Sequence, residues 1–448
     1  MTSKELFVLL SEKNYSVIKN TFAGMHPADI ADILEQLDAK GTIVAFRLLP
    51  KNLAVDVFAH STSAKQASIS LLTNENELAE IVNELYFDDK IDFLEEMPAN
   101  IVKRILKNST ESERKLINQF LKYPDFSAGS LMTTEFVDLK EHMTVAQSLE
   151  TIRTTALNKE TVYTCYCIDS HRQLKGTVSL KDLVLASPDV TVGEIMQKDV
   201  LSVETQDDQE QVAALFKKYD LLSLPVVDHE KRLVGIITVD DVIDVIEREN
   251  TEDSYLMAAV SKGSSPKKDK LLEVSIPSAI RLRLPWLIIT LLGGMLAGGV
   301  IEFFEESLAA AIVLAAFIPV IMDMGGDVGI QSSTIVIRGL ATGDITQNNV
   351  WKCLWREILI GTFMGVICGV VVGAAGQIWQ GVPKLGVAVG GAMITTMTVA
   401  SFLGAFLPTL FHRIGIDPAV VSGPLITTIK DITGLVIYFT IASVVMGI

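Results

Sequence analysis

A carboxylate inside an apolar stretch is the feature of this sequence that could most clearly do chemistry. Asp431, preceded by Lys430, lies near the middle of residues 424–448, which are apolar and long enough to cross a bilayer as a helix. A charged side chain at that depth costs at least about 2.5 kcal/mol, so it requires a cation, a polar partner or a water-filled path. The sequence therefore predicts a functional site at Asp431.

Oxygen-bearing side chains also accumulate in a second apolar stretch, residues 318–344. They are Asp323, Asp327, Gln331, Ser332 and Ser333. We expect Gly325, Gly326 and Gly329 to weaken the helix there, and interrupted backbone at membrane depth is tolerated where it lines a cavity or is buried in protein. The alternative is a small-residue packing face, which does not by itself explain the acids.

The type of these ligands suits Mg2+. This ion prefers oxygen in octahedral geometry and gives up water reluctantly, so carboxylates acting through a retained hydration shell can hold it. A ring that contains Asp431, with Asp327, in a pore of small residues would supply that chemistry. The sequence contains no G-x-x-x-x-G-K-[ST] motif, so we do not expect ATP hydrolysis to drive the movement. A channel, or a carrier driven by the ion gradient and the membrane potential, fits this pattern.

Five apolar stretches would position these residues. They cover approximately residues 284–304, 308–324, 358–378, 385–411 and 420–448. The side before the first stretch is predicted to be cytoplasmic because it is basic. Its basic residues are Lys267, Lys268, Lys270, Arg281 and Arg283. Five spans then leave the amino end inside and the carboxyl end outside a cell membrane.

The part of the chain before these stretches is acidic. The 448 residues carry a formal net charge of -16, mostly before residue 283, which argues against a nucleic-acid partner and favours cations. Residues 1–125 contain short amphipathic segments separated by Pro and polar breaks, with Ile30, Ile33, Leu34 and Leu37 on one stripe. This pattern predicts a helical superhelix.

Two groups of acids in this part could sense a divalent cation. The members are Asp88, Asp89 and Asp92 of the helical region, and Asp241, Asp244, Glu249, Glu252 and Asp253 of a later acidic helix. Carboxylates three or four residues apart on a helix repel one another. Mg2+ or Ca2+ could draw the two groups together, and loss of the ion would push them apart. The alternative is an ordinary solvated face.

An internal repeat covers residues 129–249. GSLMTTEFVDL matches GEIMQKDVLSV, LKGTVSLKDLV matches LVGIITVDDVI, and each copy is predicted to run helix, strand, turn, strand and helix. On these residues the segment resembles a tandem pair of CBS domains, a regulatory module. The resemblance implies an adenine nucleotide site at Ser179 with Asp182 and at Thr238 with Asp241. The alternative is that the same spacing starts an ordinary helix.

Taken from end to end, the chain resembles the MgtE family of magnesium channels. The resemblance rests on PVIMDMGGDVGIQSST with RGLATGD, on SFLGAFLP and on DPAVVSGPLITTIKDITGLVIYF. It implies a homodimer with a pore on the two-fold axis, in which Asp431 is the main ion-binding residue. It also implies that Mg2+ at the cytosolic domains favours a closed state, with the connecting helices as a plug, and that ATP binds the CBS pair.

Two positions depart from this family. The family usually has Asn where Asp327 stands, and Lys430 directly precedes the pore carboxylate. An added acid should hold a divalent ion more tightly, whereas a nearby ammonium should oppose it. Lys430 could pair with Asp431 or, because consecutive helical residues point about 100° apart, face a neighbouring span.

The predicted fold is mixed: a helical superhelix and α/β tandem CBS domains in the cytosol, followed by an all-α transmembrane domain of five helices. The expected domains are residues 1–125 (helical), 126–192 and 193–246 (CBS), 247–280 (connecting helix and linker) and 281–448 (pore). The expected function is passive, Mg2+-selective influx closed by cytosolic Mg2+, and not an enzyme activity. The alternatives are a gradient-coupled carrier for Mn2+ or Co2+ and a membrane-anchored nucleotide sensor that transports nothing.

Overall fold

The structure is a computed structural model that describes residues 1–261, 275–382, 384–421 and 423–447. It contains two compact units, Met1–Glu247 and Arg248–Ile448. The predicted polar linker, with Lys267, Lys268 and Lys270, lies outside the described residues.

Ten short helices form the first part of the first unit. They are α1 (Ser3–Ser11), α2 (Tyr15–Phe22), α3 (Pro27–Glu35), α4 (Ala39–Phe46), α5 (Lys51–Ala59), α6 (Ser63–Leu72), α7 (Glu75–Glu84), α8 (Phe87–Glu96), α9 (Ala99–Asn108) and α10 (Glu111–Phe120). Polar residues start many of them, because the side chains of Thr2, Asp38, Thr62, Asn74 and Thr110 each accept a backbone N–H from the first turn. α3 packs on α5, α5 on α7 and α7 on α9, as in a superhelix.

Apolar side chains at helical spacing hold this array together. Ile30 and Leu34 of α3 are fully buried, as their spacing predicts. The ring of Phe58 lies 6.4 Å from that of Phe46 and 5.1 Å from that of Phe93. Burying one such side chain stabilises the fold by about 1.5–3 kcal/mol. Packing therefore holds helices that are too short to be stable alone.

Both copies of the internal repeat fold into small sheets of the same topology. The strands are β1 (Asp138–Leu139), β2 (Thr164–Ile168) and β3 (Leu174–Ser179) in one copy, and β4 (Val203–Glu204), β5 (Ser223–Val227) and β6 (Leu233–Thr238) in the other. In each, the first pair of strands is parallel and the second antiparallel. Even the register irregularity recurs, at Cys167/Ile168 and at Val226/Val227. The predicted repeat of a CBS pair is therefore confirmed.

Six helices accompany these sheets. They are α11 (Ala128–Leu131), α12 (Val145–Thr155), α13 (Leu180–Leu185), α14 (Val192–Ile195), α15 (Gln209–Tyr219) and α16 (Val239–Met257). A buried hydrogen bond of 2.7 Å between the hydroxyls of Tyr166 and Ser223 joins the two copies. The last helix, α16, contributes residues to both units.

Five helices in the described part of the second unit are long and apolar enough to cross a membrane. After the end of α16, the α-helices of this unit are α17 (Ile276–Phe303), α18 (Glu305–Ala310), α19 (Ile318–Ala341), α20 (Val350–Gln380), α21 (Leu385–Arg413) and α22 (Pro424–Met446). All of these except α18 are long. The number of spans and the fold class are as predicted. The predicted position of the second span, residues 308–324, is wrong, because α19 continues to Ala341.

The expectation of interrupted backbone in the second span is also wrong. α19 is one continuous helix through Gly325, Gly326 and Gly329. A glycine costs a helix only about 1 kcal/mol relative to alanine, whereas each unpaired backbone group in lipid costs several. The glycines instead allow close packing, since a side chain at Gly404 of α21 would clash with the carbonyl oxygen of Gly329. The alternative of a small-residue packing face is therefore the one that the structure contains.

Candidate functional site

Asp431 lies in α22 with an ammonium group beside it. Its carboxylate Oδ1 is 2.5 Å from Nζ of Lys430, and the Asp431 side chain is 26% exposed, whereas that of Lys430 is 5% exposed. The ammonium also donates a hydrogen bond to the carbonyl oxygen of Met322 in α19. The two orientations that the sequence allows for Lys430 therefore occur together: its side chain faces the neighbouring span α19, and its ammonium pairs with Asp431.

The predicted ligands of α19 form a polar stripe on one face of that helix. Asp323, Asp327 and Gln331 follow one another at intervals of four residues, and all three side chains are exposed in the single chain. We call these three residues the α19 stripe. Acids in membrane spans face other protein or a water-filled cavity rather than lipid. The α19 stripe therefore requires a second protein surface or a wet route beside it.

The two serines next to this stripe do not share its exposure. Ser332 and Ser333 are buried on the opposite side of α19. The hydroxyl of Ser332 lies 2.9 Å from that of Ser401 in α21, which donates in turn to the carbonyl oxygen of Glu357 in α20. These bonds tie α19, α20 and α21 together and fix the direction of the α19 stripe.

A cluster of partly buried carboxylates lies within the first unit. Its members come from α8, the first CBS copy and the start of α16. They are Asp88, Asp89, Glu135, Glu160, Asp240 and Asp241, and we call them the acidic cluster. Asp92 adds its charge to those of Asp88, Asp89 and Asp241.

Burial and mutual repulsion disfavour negative charge in the acidic cluster. Burial first, and then neighbouring carboxylates, raise the pKa of Asp88 to about 7, of Asp89 to about 6, of Asp241 to about 8 and of Glu160 to about 9. Burial also raises the pKa of Glu135, and the charges of Lys90 and Lys159 partly offset this rise. A cation bound among these carboxylates would relieve the repulsion in place of a proton.

The hydrogen bonds of the acidic cluster are incomplete. Within the described residues, Oδ1 of Asp88 and Oε2 of Glu160 are buried without a hydrogen-bond partner. The nearby ammonium of Lys90 lies 3.1 Å from Glu113 instead. Unpaired buried oxygens are costly and call for an explanation such as a bound ion or water. Among the described residues, however, no three His, Cys, Asp or Glu side chains are arranged to hold a metal ion.

Sequence reasoning found part of this cluster and missed part of it. It named the members Asp88, Asp89 and Asp241, and Asp92 beside them, which come from two acidic helices. It missed Glu135 and Glu160, which lie in irregular segments without helical periodicity. The signal that could have found Glu135 is the repeat, because Asp199 stands at the matching position of the second copy.

The rest of the predicted sensor residues lie further along α16. Asp244 is exposed in the first unit, whereas Glu249, Glu252 and Asp253 belong to the second. We call these three residues, with Asp417, the second acidic group. Burial and then Asp417, Glu249 and Glu252 raise the pKa of Asp253 to about 6, and Arg338 opposes this.

Contacts in the second unit hold the end of α16 against the end of α19. Nη1 of Arg338 donates to Oδ1 of Asn250 over 3.0 Å. Leu256 packs in one apolar cluster with Ile337 and Ala419. The end of the acidic helix and the end of the helix that carries the α19 stripe are thus in direct contact.

The residues proposed for nucleotide binding have the same geometry in both CBS copies. The hydroxyl of Ser179 donates to Oδ2 of Asp182 over 2.7 Å, and that of Thr238 donates to Oδ2 of Asp241 over 2.7 Å. Ser179 also accepts the backbone N–H of Asp182 at 3.0 Å, as a helix cap does. The nucleotide site stays a prediction, since a cap alone explains these bonds.

Comparison with known proteins identifies the family. The MgtE family, described as divalent cation transporters, matches residues 318–441, the MgtE intracellular N domain matches residues 25–125, and the CBS domain matches residues 192–248. Over 98% of its length the chain is 37% identical to the magnesium transporter MgtE of Thermus thermophilus, of which 97% is covered. The chain belongs to the MgtE family.

Further relatives match either nearly the whole chain or slightly more than half of it. The magnesium transporter MgtE of Bacillus subtilis is 32% identical over 98% of this chain and 96% of its own. A crystal structure of the cytosolic domain of the Mg2+ channel MgtE in complex with ATP is 37% identical, with a TM-score of 0.52, over 54% of this chain and 99% of that one. A crystal structure of the soluble part of a magnesium transporter is 29% identical, with a TM-score of 0.51. The match covers 55% of this chain and 97% of that one. These MgtE relatives are transporters, so the expectation that the chain is not an enzyme is confirmed.

The acidic cluster of this MgtE chain should make its stability depend on pH. In the absence of divalent cations, we expect the full chain in detergent to unfold at a lower temperature at pH 8.5 than at pH 5.5. The folded pKa values of about 6 to 9 for Asp88, Asp89, Asp241 and Glu160 exceed ordinary carboxyl values. Between the ordinary carboxyl pKa of about 4 and these raised values, the folded state binds more protons than the unfolded state, so stability is lost as the pH rises through that window.

Scanning calorimetry in EDTA would measure this effect. Millimolar Mg2+ should raise the unfolding temperature more at pH 8.5 than at pH 5.5, because the ion takes the place of the missing protons. The double variant Asp88→Asn/Asp241→Asn should unfold at a higher temperature than the parent at pH 8.5 in EDTA, and should respond less to Mg2+. Equal effects of Mg2+ at both pH values in the parent chain would contradict the prediction.

Proposed function

We propose that this chain is a Mg2+ channel that conducts passively into the cell and is closed by Mg2+ bound at its cytosolic acidic groups. The observation that carries the proposal is the exposure of Asp431. Its side chain is 26% exposed although it lies in a membrane span, α22. Such a group suits a hydrated Mg2+ ion, which binds few carboxylates and keeps its water. Relatives that match the chain from end to end are magnesium transporters.

The pore in this proposal lies between two copies of the chain. The α19 stripe, Asp323, Asp327 and Gln331, points away from its own chain, and a second copy on a two-fold axis would place two such stripes face to face. Two copies of Asp431 with these oxygens would surround the ion through its water. Asp327, an acid at a usual Asn position of the family, would add negative charge to each stripe.

Closure in this proposal begins at the acidic cluster. Asp88, Asp89, Asp92 and Asp241 hold charge that protons or a divalent cation must neutralise. Bound Mg2+ would hold α8 and the start of α16 together, and its loss would let them separate by repulsion. Asp244 would add charge on the same helix.

Transmission to the pore would run through the end of α16, which acts as the plug. The second acidic group and the contact between Asn250 and Arg338 join α16 to the end of α19. Mg2+ at Glu249, Glu252 and Asp253 would hold this contact in the closed state. ATP at Ser179 with Asp182 and Thr238 with Asp241 would bind beside the sensor, since Asp241 belongs to both sites.

The arrangement in the membrane is part of the proposal. Residues 1–125, 126–192, 193–246 and 247–280 form the cytosolic helical domain, the two CBS domains and the connecting segment, and residues 281–448 form the pore domain of a cell-membrane protein. The carboxyl end then lies outside. The name of the matching segment, an intracellular N domain, supports the cytosolic side.

Uptake by the purified full chain in liposomes would test the proposal. We expect Mg2+ entry that follows an imposed potassium diffusion potential, is indifferent to proton and sodium gradients, and falls when the Mg2+ concentration at the acidic domains reaches the millimolar range. Dependence on a proton or sodium gradient, for Mg2+ or for Mn2+ and Co2+, would favour a carrier. A carrier is the second candidate function because Lys430 pairs with Asp431.

A further inference from the structure

Lys430 has a built position between two membrane spans. Its side chain runs from α22 across the face of α19 at Gly325 and Gly326. A side chain at Gly326 would begin 2.9 Å from Nζ of Lys430, and one at Gly325 would begin 3.1 Å from its Cδ. The two glycines thus leave the room in which the lysine lies, so this arrangement is part of the packing of α19 on α22.

The ammonium of Lys430 has two acceptors of different kinds. One is the carboxylate of Asp431, 2.5 Å away, and the other is the backbone carbonyl oxygen of Met322. The carboxylate can turn away by changing its side-chain torsions, whereas the carbonyl is fixed in α19. The ammonium therefore keeps a hydrogen bond when Asp431 turns to an ion, which lowers the cost of burying the charge.

We propose that Lys430 determines which cations this site admits, as a tethered cation that occupies Asp431 until a divalent ion displaces it. The inference rests on the proposed function. Na+ or K+ brings the same single charge as the ammonium, and the ammonium has the advantage of being held at high effective concentration. A divalent ion doubles the attraction to the carboxylate at equal distance. The site accordingly rejects monovalent cations and admits Mg2+ at a reduced affinity.

Removing the charge of Lys430 tests this idea. In liposomes that hold the full chain, Lys430→Met should let Na+ and K+ pass in EDTA, where the parent chain conducts neither. The Mg2+ concentration for half-maximal uptake should fall about tenfold, which corresponds to about 1.4 kcal/mol. Lys430→Arg should keep the exclusion of Na+ and K+, because it keeps the charge.

A matched control removes a lysine elsewhere in the same unit. Lys352 is exposed near the start of α20, and Lys352→Met should leave both the half-maximal Mg2+ concentration and the monovalent exclusion unchanged. If Lys430→Met is not recovered as folded protein by size-exclusion chromatography, Lys430→Gln carries the same prediction.

The outcomes separate this inference from the proposed pore. A folded Lys430→Met protein that excludes Na+ and K+ like the parent, or that no longer takes up Mg2+, would overturn the role of Lys430. So would a Lys430→Arg protein that leaks as the Met variant does. If Asp431→Ala blocks Mg2+ uptake in the same preparation, the pore assignment stands regardless of these results. If Asp431→Ala still conducts, the pore assignment itself fails.

Discussion

Replacing Asp431 by alanine should lower Mg2+ uptake by at least about a hundredfold, the equivalent of about 2.8 kcal/mol, while the protein stays folded. Asp431 is the proposed main ligand of the permeating ion, and the variant also leaves the ammonium of Lys430 without its partner. Both changes oppose a doubly charged ion in a membrane span. Uptake into liposomes with an internal Mg2+ indicator would measure the loss, and size-exclusion chromatography would check the fold.

Two further variants separate the lost ligand from the unpaired ammonium. Asp431→Asn keeps the shape of the side chain and removes its charge, and it should also block uptake. In the double variant Asp431→Ala/Lys430→Met both charges are gone, so any remaining block is caused by the missing carboxylate. Uptake close to that of the parent chain in the double variant would show that Asp431 is not a required ligand.

Neutralising the acidic cluster should keep the transporter open at Mg2+ concentrations that close the parent chain. In Asp88→Asn/Asp241→Asn, the repulsion that the ion relieves is removed, so Mg2+ gains little by binding there. We expect millimolar Mg2+ to protect the first unit of the parent chain from trypsin and to reduce its uptake. Both effects should be lost in the double variant.

The control for this experiment lies on the same unit. Asp29 and Asp32 are exposed on α3, so Asp29→Asn/Asp32→Asn removes two charges without touching the acidic cluster. This control should respond to Mg2+ as the parent does. A sensor located elsewhere would be indicated if Asp88→Asn/Asp241→Asn still closed and gained protection at the same Mg2+ concentration.

Periodic patterns in the sequence predicted most of the fold. Apolar residues such as Ile30 and Leu34 lie on one face of a helix because 3.6-residue spacing brings them there. Duplication of the CBS sequence implied two sheets of one topology, and the structure repeats even the irregularity beside Cys167 and Val226. The five membrane spans follow from length and hydropathy.

Features that depend on packing between distant segments could not be predicted in this way. Glycines in α19 suggested an interrupted helix, but they serve close contacts with α21 and with the side chain of Lys430. Glu135 and Glu160 join the acidic cluster from segments without periodicity. Lys430 could have paired with Asp431 or faced a neighbouring span, and it does both, because its second acceptor is the carbonyl of Met322, which lies far away in the sequence.

The central claim is that a water-filled route passes the side chain at position 431, and thiol modification tests it most directly. In a chain with its four native cysteines replaced, Asp431→Cys should react in EDTA with charged, membrane-impermeant methanethiosulfonates. Val436→Cys, on another side of α22, should stay inert. Attachment of the anionic sulfonatoethyl group should restore Mg2+ uptake, and attachment of a cationic trimethylammonium group should not. A thiol at position 431 that stays unmodified in EDTA would contradict the account, because no hydrated ion could then reach that position.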